Sequence, residues 1–287
     1  MLQIDPNKLE NPKLFKIIQA GVAPRPIAFA ATIDKDGNHN LSPFSFYNAF
    51  GVNPTTLIFS PARRGRDNTT KHTFDNIKEV PEVVINAVSY DMVQQMSLAS
   101  TEYPKGVDEF VKAGFTSVDS KIISPRRVAE SPLQFECKVR DIIETSGKPG
   151  SGNLIICEIV FIHINEKILD INGDIDVDKI DLVGRMGGDY YVRTSGDAKF
   201  TVPKPLTKRG IGIDSLPEKI RFSSYLTGND LGQLGNIEQL PSQEEINNYH
   251  SKNETNIHIS SEEEKHEFAH SLISTGKVNE ALMLLLG

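Results

Sequence analysis

Tryptophan is absent from the 287 residues and cysteine occurs twice. Without indole, an aromatic wall for a planar ligand must come from Phe, Tyr or His. Cys137 and Cys157 each sit in an apolar, β-branched run with no Cys-x-x-Cys spacing. That excludes a disulfide scaffold, argues against a redox dithiol, and fits buried thiols in a reducing compartment. Long hydrophobic runs are also missing: none approaches the ~20 residues that span a bilayer. The opening MLQIDPNKLENPKLFK mixes charge with apolar residues, unlike a secretory leader. No membrane partner and a cytoplasmic location are therefore expected. Positive charge is in deficit, with 31 Lys/Arg against 38 Asp/Glu and a net of −7, so no nucleic-acid partner is expected.

What is present is an ordinary globular composition, 38% hydrophobic and 24% charged, in a chain long enough for one large domain or a domain with an extension. Leu14, Ile17 and Ile18 have helical spacing, with Gly21 as a stop. Residues 26–34 and those following the turn 35–38 predict a hairpin, and Pro43 predicts an edge or irregular segment at 42–45. Strands are predicted over 55–60, 82–89, 131–145 and 153–169. Helices are predicted over 69–80, capped by Asn68 or Thr69, and over 90–100 and 106–114. Many strands among few helices, without regular alternation, point to an antiparallel barrel instead of a doubly wound sheet. Composition shifts near residue 200: segment 201–287 holds eight Lys/Arg and twelve Asp/Glu. It reads as an extension with a polar, linker-like stretch over 241–261 and a terminal helix. There is no repeat of fixed period.

The strongest chemical signal is RRGRDNTTKHT (63–73), which sets Arg63, Arg64, Arg66 and Lys71 against Asp67 in an acidic chain. A glycine-containing loop with hydroxyl and amide donors, running into a helix N-terminus, suits a phosphate. A solvated basic loop gives the same composition. A second signal is LSPFSFYNAF (41–50), where hydroxyls alternate with Phe44, Phe46 and Phe50. This suits the edge and face of a planar ligand, although any amphipathic strand alternates in this way.

The runs at 24–62, 67–89, 106–116, 128–139 and 182–194, in order, resemble the flavin reductase-like, FMN-binding split-barrel family that includes flavoredoxins. The resemblance implies an α+β fold: an antiparallel split β-barrel over residues 1–200, with peripheral helices and a C-terminal extension over 201–287. It implies a homodimer with FMN near the subunit interface. It also implies NAD(P)H-dependent flavin reduction, with NADH or NADPH as electron donor, or a flavoredoxin-like electron carrier without nicotinamide activity of its own. By that resemblance Ser42, Pro43, Phe44, Ser45 and Asn48 lie along the flavin ring and ribityl chain. Lys71 and Thr73 would hold the phosphate, helped by Arg63 or Arg64 and by Arg25. Arg185, Met186 and Gly187 would lie near the cofactor, beside Tyr190 and Tyr191. The family's Lys-Asp-Thr triplet reads Lys71-His72-Thr73 here, which leaves the middle acid's role at the helix start unfilled. No side chain is assigned a catalytic role, because the flavin carries the chemistry.

Two other nucleotide signatures fail: GIGIDS (210–215) lacks the third Rossmann glycine and GKPGSG (147–152) is not a Walker loop. A barrel holding another anionic planar cofactor, such as pyridoxal phosphate or haem, is the third reading. HEFAH (266–270) matches the His-Glu-x-x-His zinc pattern, but the positions downstream where further ligands would fall hold Ile273 and Gly276. No metal site is expected there, and His266 and His270 are expected to be solvated on a helix docked by Phe268, Leu272 and Ile273.

Overall fold

The computed structural model describes residues 1–203, 209–253, 259 and 261–287. The chain forms two compact units, Met1–Phe200 and Thr201–Gly287.

In the first unit, helix α1 (Asn11–Gly21) precedes strands β1 (Ala28–Ile33), β2 (His39–Phe44), β3 (Tyr47–Val52) and β4 (Thr55–Phe59). Helix α2 (His72–Glu79), strand β5 (Glu82–Asn86) and the short helices α3 (Val93–Leu98) and α4 (Glu109–Ala113) follow. Strands β6 (Ser117–Val118) and β7 (Arg127–Val128) form a small ribbon, and β8 (Leu133–Glu144) and β9 (Asn153–Ile164) a long hairpin. Strands β10 (Val183–Arg185) and β11 (Tyr191–Arg193) close the unit.

Seven strands make one antiparallel sheet in the order β2-β1-β5-β8-β9-β4-β3. β1 is apolar on both sides because both its faces are buried. Phe29 and Ala31 enter a core with Leu41, Met92, Met96 and Phe110, whereas Ala28 and Ala30 enter one with Phe59, Phe74, Ile77, Ile85, Cys137 and Cys157. The second core draws side chains from both halves of the sheet, and Phe44 of β2 meets Phe59 of β4 at a ring separation of 5.6 Å. The sheet therefore curls until its ends share a core, with α2 plugging it. Bulges in the β8–β9 pair, at Val160 of β9 and at Arg140 of β8, supply curvature. Both cysteines are free and buried in this core, which pushes the Cys157 thiol up to about 12.

Pro43 sits in a continuous strand at the sheet edge, where its missing N–H costs no ladder bond on the outer side. Gly37 turns the β1–β2 hairpin at φ +87°. The expected cap of α2 is corrected: the helix begins at His72, with Lys71 in the cap position. Asn68 lies instead in the left-handed region at φ 59°, its amide spent on Arg63 and on the Gly147 carbonyl. In the first turn of α2, Asp75 accepts from the Thr70 hydroxyl at 2.7 Å.

The second unit is helical: α5 (Glu218–Arg221), α6 (Gly228–Leu234), α7 (Gln243–Asn253), α8 (Glu262–Ser274) and α9 (Val278–Leu286). Leu216, Ile220, Leu234, Leu272, Ile273, Leu282 and Leu285 build its own core. Much of the expected linker is thus α7, which buries Ile246; residues 254–258 and 260 of that stretch lie outside the described residues. Of the two histidines, His270 is exposed as expected and His266 is not. His266 is buried with Nδ1 at 2.6 Å from Ser223 Oγ, and His270 Nδ1 lies 2.9 Å from Asp230 Oδ2. Asp230 also closes a capping box with Thr227 at the start of α6. Leu272 and Ile273 dock the helix while Phe268 is exposed. Among the described residues no group of three or more His, Cys, Asp or Glu is placed to hold a metal, and no helix is long and apolar enough to cross a membrane.

Candidate functional site

An open groove of about 870 Å³ lies in the first unit. Its apolar side comes from α1, through Leu14, Phe15 and Ile18, and from Phe44 and Phe46 at the end of β2. Phe15 and Phe46 meet edge to face at 6.1 Å. α1 has no buried residue, so its apolar stripe is spent on this wall and on solvent. Ser42, Pro43 and Ser45 continue the β2 side, and the β8–β9 turn contributes Lys148 and Gly150. The basic loop closes one end with Arg63, Arg64, Arg66 and Lys71.

That loop is tightly folded. Arg64 N–H donates to the Thr69 carbonyl, and Asn68 N–H returns to the Arg64 carbonyl. Arg63 donates to Asn68 Oδ1 at 2.9 Å and to the Asn68 carbonyl at 2.6 Å. Arg64 Nε donates to Glu102 Oε1 at 2.8 Å, and its Nη1 to the Thr69 hydroxyl and the Thr70 carbonyl. Arg66 donates to Asp67 and to Glu102 Oε2, and Lys71 Nζ to Glu102 Oε1 at 3.3 Å. Glu102 therefore gathers three cations. The hydrogen bond from Arg64, with further ones from Arg66 and Lys71, outweighs its desolvation and holds its carboxyl down at about 2.

The structure brings seven of the thirteen expected residues to the groove: Ser42, Pro43, Phe44, Ser45, Arg63, Arg64 and Lys71. Thr73 lines a smaller pocket with Ser42, Arg64, Lys71 and Glu102, and the other five are not among the residues lining the groove. Thr73 is buried and donates its hydroxyl to Asn40 Oδ1 at 2.8 Å. Asn48 is exposed on β3, its Oδ1 accepting from the Ala49 N–H. Arg25 is buried, and its guanidinium is committed: Nε to Ser45 Oγ, Nη1 to the Gln19 and Val22 carbonyls, Nη2 to the Met186 carbonyl. It fastens the end of α1 to the end of β2 and to residue 186, so it positions the groove wall. Arg185 lies over the Tyr191 ring at 4.6 Å. Gly187 packs against Ala20 of α1. Sequence reasoning missed Glu102, whose part depends on long-range placement, and the wall formed by α1, whose apolar spacing was visible but reads equally as a core-facing stripe.

A family model for the flavin reductase-like domain matches residues 20–175. An uncharacterized protein of Aquifex aeolicus is 36% identical over 189 residues, covering 66% of this chain and 94% of that protein. Nitrilotriacetate monooxygenase component B from Bacillus cereus superposes with a TM-score of 0.65 at 25% identity, covering 70% of this chain and 98% of the other. A split barrel domain structure from Shewanella frigidimarina gives 0.59 at 26% identity, covering 71% and 100%. The curled seven-stranded sheet is accordingly an α+β antiparallel split barrel, as expected from the sequence. On these matches and this fold, the chain belongs to the flavin reductase-like family.

Proposed function

We propose that the groove binds FMN and that the protein works as an NAD(P)H:flavin oxidoreductase. The observation that carries this reading is the groove itself, in which an apolar, aromatic side runs into a cluster of cations at one end. A flavin mononucleotide has the same polarity, a planar ring with a single terminal phosphate. Bound there, the isoalloxazine would supply hydride and electron transfer. The chain's residues bind and orient. Phe44 and Phe46 with α1 exclude water from the ring side, Ser42 and Ser45 offer hydroxyls along β2, and Lys71 with Arg64 holds the phosphate, aided by Arg63. Arg25 fixes Ser45 in place. Thr73 supports the loop through Asn40 instead of meeting the phosphate.

Anaerobic mixing of FMN-loaded protein with NADH or NADPH tests this reading: bleaching of the flavin absorbance within seconds is expected with one donor or both. A flavin that stays oxidised with both, yet is bleached by dithionite, would leave a flavoredoxin-like carrier.

A homodimer belongs to the same proposal. Phe15, Ile17 and Ile18 of α1 are each more than 40% exposed, and Phe50 and Val52 of the edge strand β3 more than 60%. So much uncovered apolar surface suits a subunit contact. Light scattering at micromolar concentration is expected to give twice the chain mass; a monomer with flavin bound contradicts it. The free thiols suit the reducing cytoplasm. We take residues 1–200 as the flavin-binding domain, since every residue lining the groove lies between Asn11 and Ser151. Truncation after Phe200 is expected to leave the FMN dissociation constant within about twofold of the full chain, measured by fluorescence quenching. Loss of binding in a folded truncated protein would assign the C-terminal unit a part in the site.

A further inference from the structure

Glu102 stands apart from the basic loop in sequence, in the segment after α3, yet its carboxylate lies at the cationic end of the groove. Arg64 Nε and Lys71 Nζ both donate to Oε1, at 2.8 and 3.3 Å, and Arg66 donates to Oε2. A phosphate received by Arg64 Nε and Lys71 through these same donors would place an oxygen where Oε1 now sits. The carboxylate is therefore an anion already standing in the subsite that the proposed function gives to the FMN phosphate. It also has an open path towards solvent. Its side chain is 36% exposed, and the Lys71 contact is the longest of the three. A phosphate monoester carries roughly −2 at neutral pH, so a carboxylate that stays beside it is repelled, and one that swings away gives up three charge-assisted contacts. Both routes oppose phosphate binding, and neither touches the ring.

We propose that Glu102 is an internal competitor for the phosphate subsite, gathering Arg64, Arg66 and Lys71 in the flavin-free groove and lowering its affinity for phosphorylated flavin. This inference rests on the FMN reading above. It gives the groove a way to exchange FMN instead of retaining it, because the carboxylate takes the cations back as the phosphate departs. The affinity for riboflavin, which carries no phosphate, is independent of Glu102.

The test compares the wild-type protein with Glu102→Gln in titrations of FMN and of riboflavin, with stopped-flow dissociation of each. The amide keeps the shape and one acceptor but removes the charge. The expected result is an FMN dissociation constant lower by on the order of tenfold, the factor that one charge-assisted hydrogen bond is worth. It should come with slower FMN release and an unchanged riboflavin constant. An FMN constant that is unchanged or higher overturns the inference, because Glu102 then orders the cations instead of competing for them. FMN and riboflavin tightening together also overturns it, since the effect would then lie at the ring. A wild-type protein that binds neither flavin removes the FMN reading itself, a result separable from every other.

Discussion

Lys71→Ala is expected to weaken FMN binding by an order of magnitude or more while leaving riboflavin binding nearly unchanged. Lys71 is the last residue before α2, half-buried at the groove wall, with its ammonium 3.3 Å from Glu102. Little in the fold depends on its ammonium, so its removal should be felt by the ligand. Losing a charge-assisted hydrogen bond costs about 1.5–3 kcal/mol, which is the expected tenfold or more. Thr73→Val behaves differently. The Thr73 hydroxyl is buried against Asn40, so the variant leaves an unpaired acceptor beneath α2 and should cost about 1–3 kcal/mol of stability. Any loss of flavin affinity in that variant should fall on FMN and riboflavin equally. Fluorescence titrations of both ligands, with denaturant melts, separate the two cases. Loss of FMN alone in Thr73→Val would return the hydroxyl to the phosphate.

Glu136→Ala is expected to give the largest loss of stability in the first unit. Glu136 lies on β8 with no exposed surface, yet its carboxylate accepts from the N–H groups of Lys121, Ile122 and Ile123. It also meets His163 Nε2 of β9 at 2.6 Å. Burial pushes its pKa up, but the backbone donors and His163 outweigh burial and carry it below the ordinary 4.5. Removing it leaves the buried Ile123 N–H without its acceptor and breaks the part-buried bonds from Lys121 and Ile122, at a cost of about 3 kcal/mol. In a unit of this size that is a fall in melting temperature of about 10 °C. The sign of the pH dependence follows. Because the folded-state pKa is depressed, the contribution is fully present above pH 4.5 and is lost as pH falls through the folded value. The variant's deficit should therefore shrink in acid. A melting temperature within about 2 °C of wild type at neutral pH, the effect of a surface change, contradicts this account.

The barrel was legible because its signals are local. Period-2 runs, the Asp36-Gly37 turn and Pro43 at an edge each specify their own element, and the elements formed within a few residues of where those signals lie. The basic loop was also legible, as an excess of one charge in a short segment. Three things were not. Side-chain commitments such as Arg25 to Ser45 and Thr73 to Asn40 arise from residues 20 and 33 positions apart, which no window along the chain contains. Glu102 belongs to the site by placement after α3, not by any motif. The C-terminal unit hid its order because α7 is polar and buries little, so its 11 residues match the composition of a linker while adding Ile246 and Tyr249 to the packing of the helical unit.

The central claim is that the groove recognises a flavin through its ring and a single terminal phosphate, and a parallel titration of the purified protein with FMN and riboflavin tests it most directly. The account predicts saturable quenching of flavin fluorescence by both, with FMN at least tenfold tighter at low salt and the gap narrowing as ionic strength rises. Equal affinities at every salt concentration, or no binding of either flavin, would contradict it.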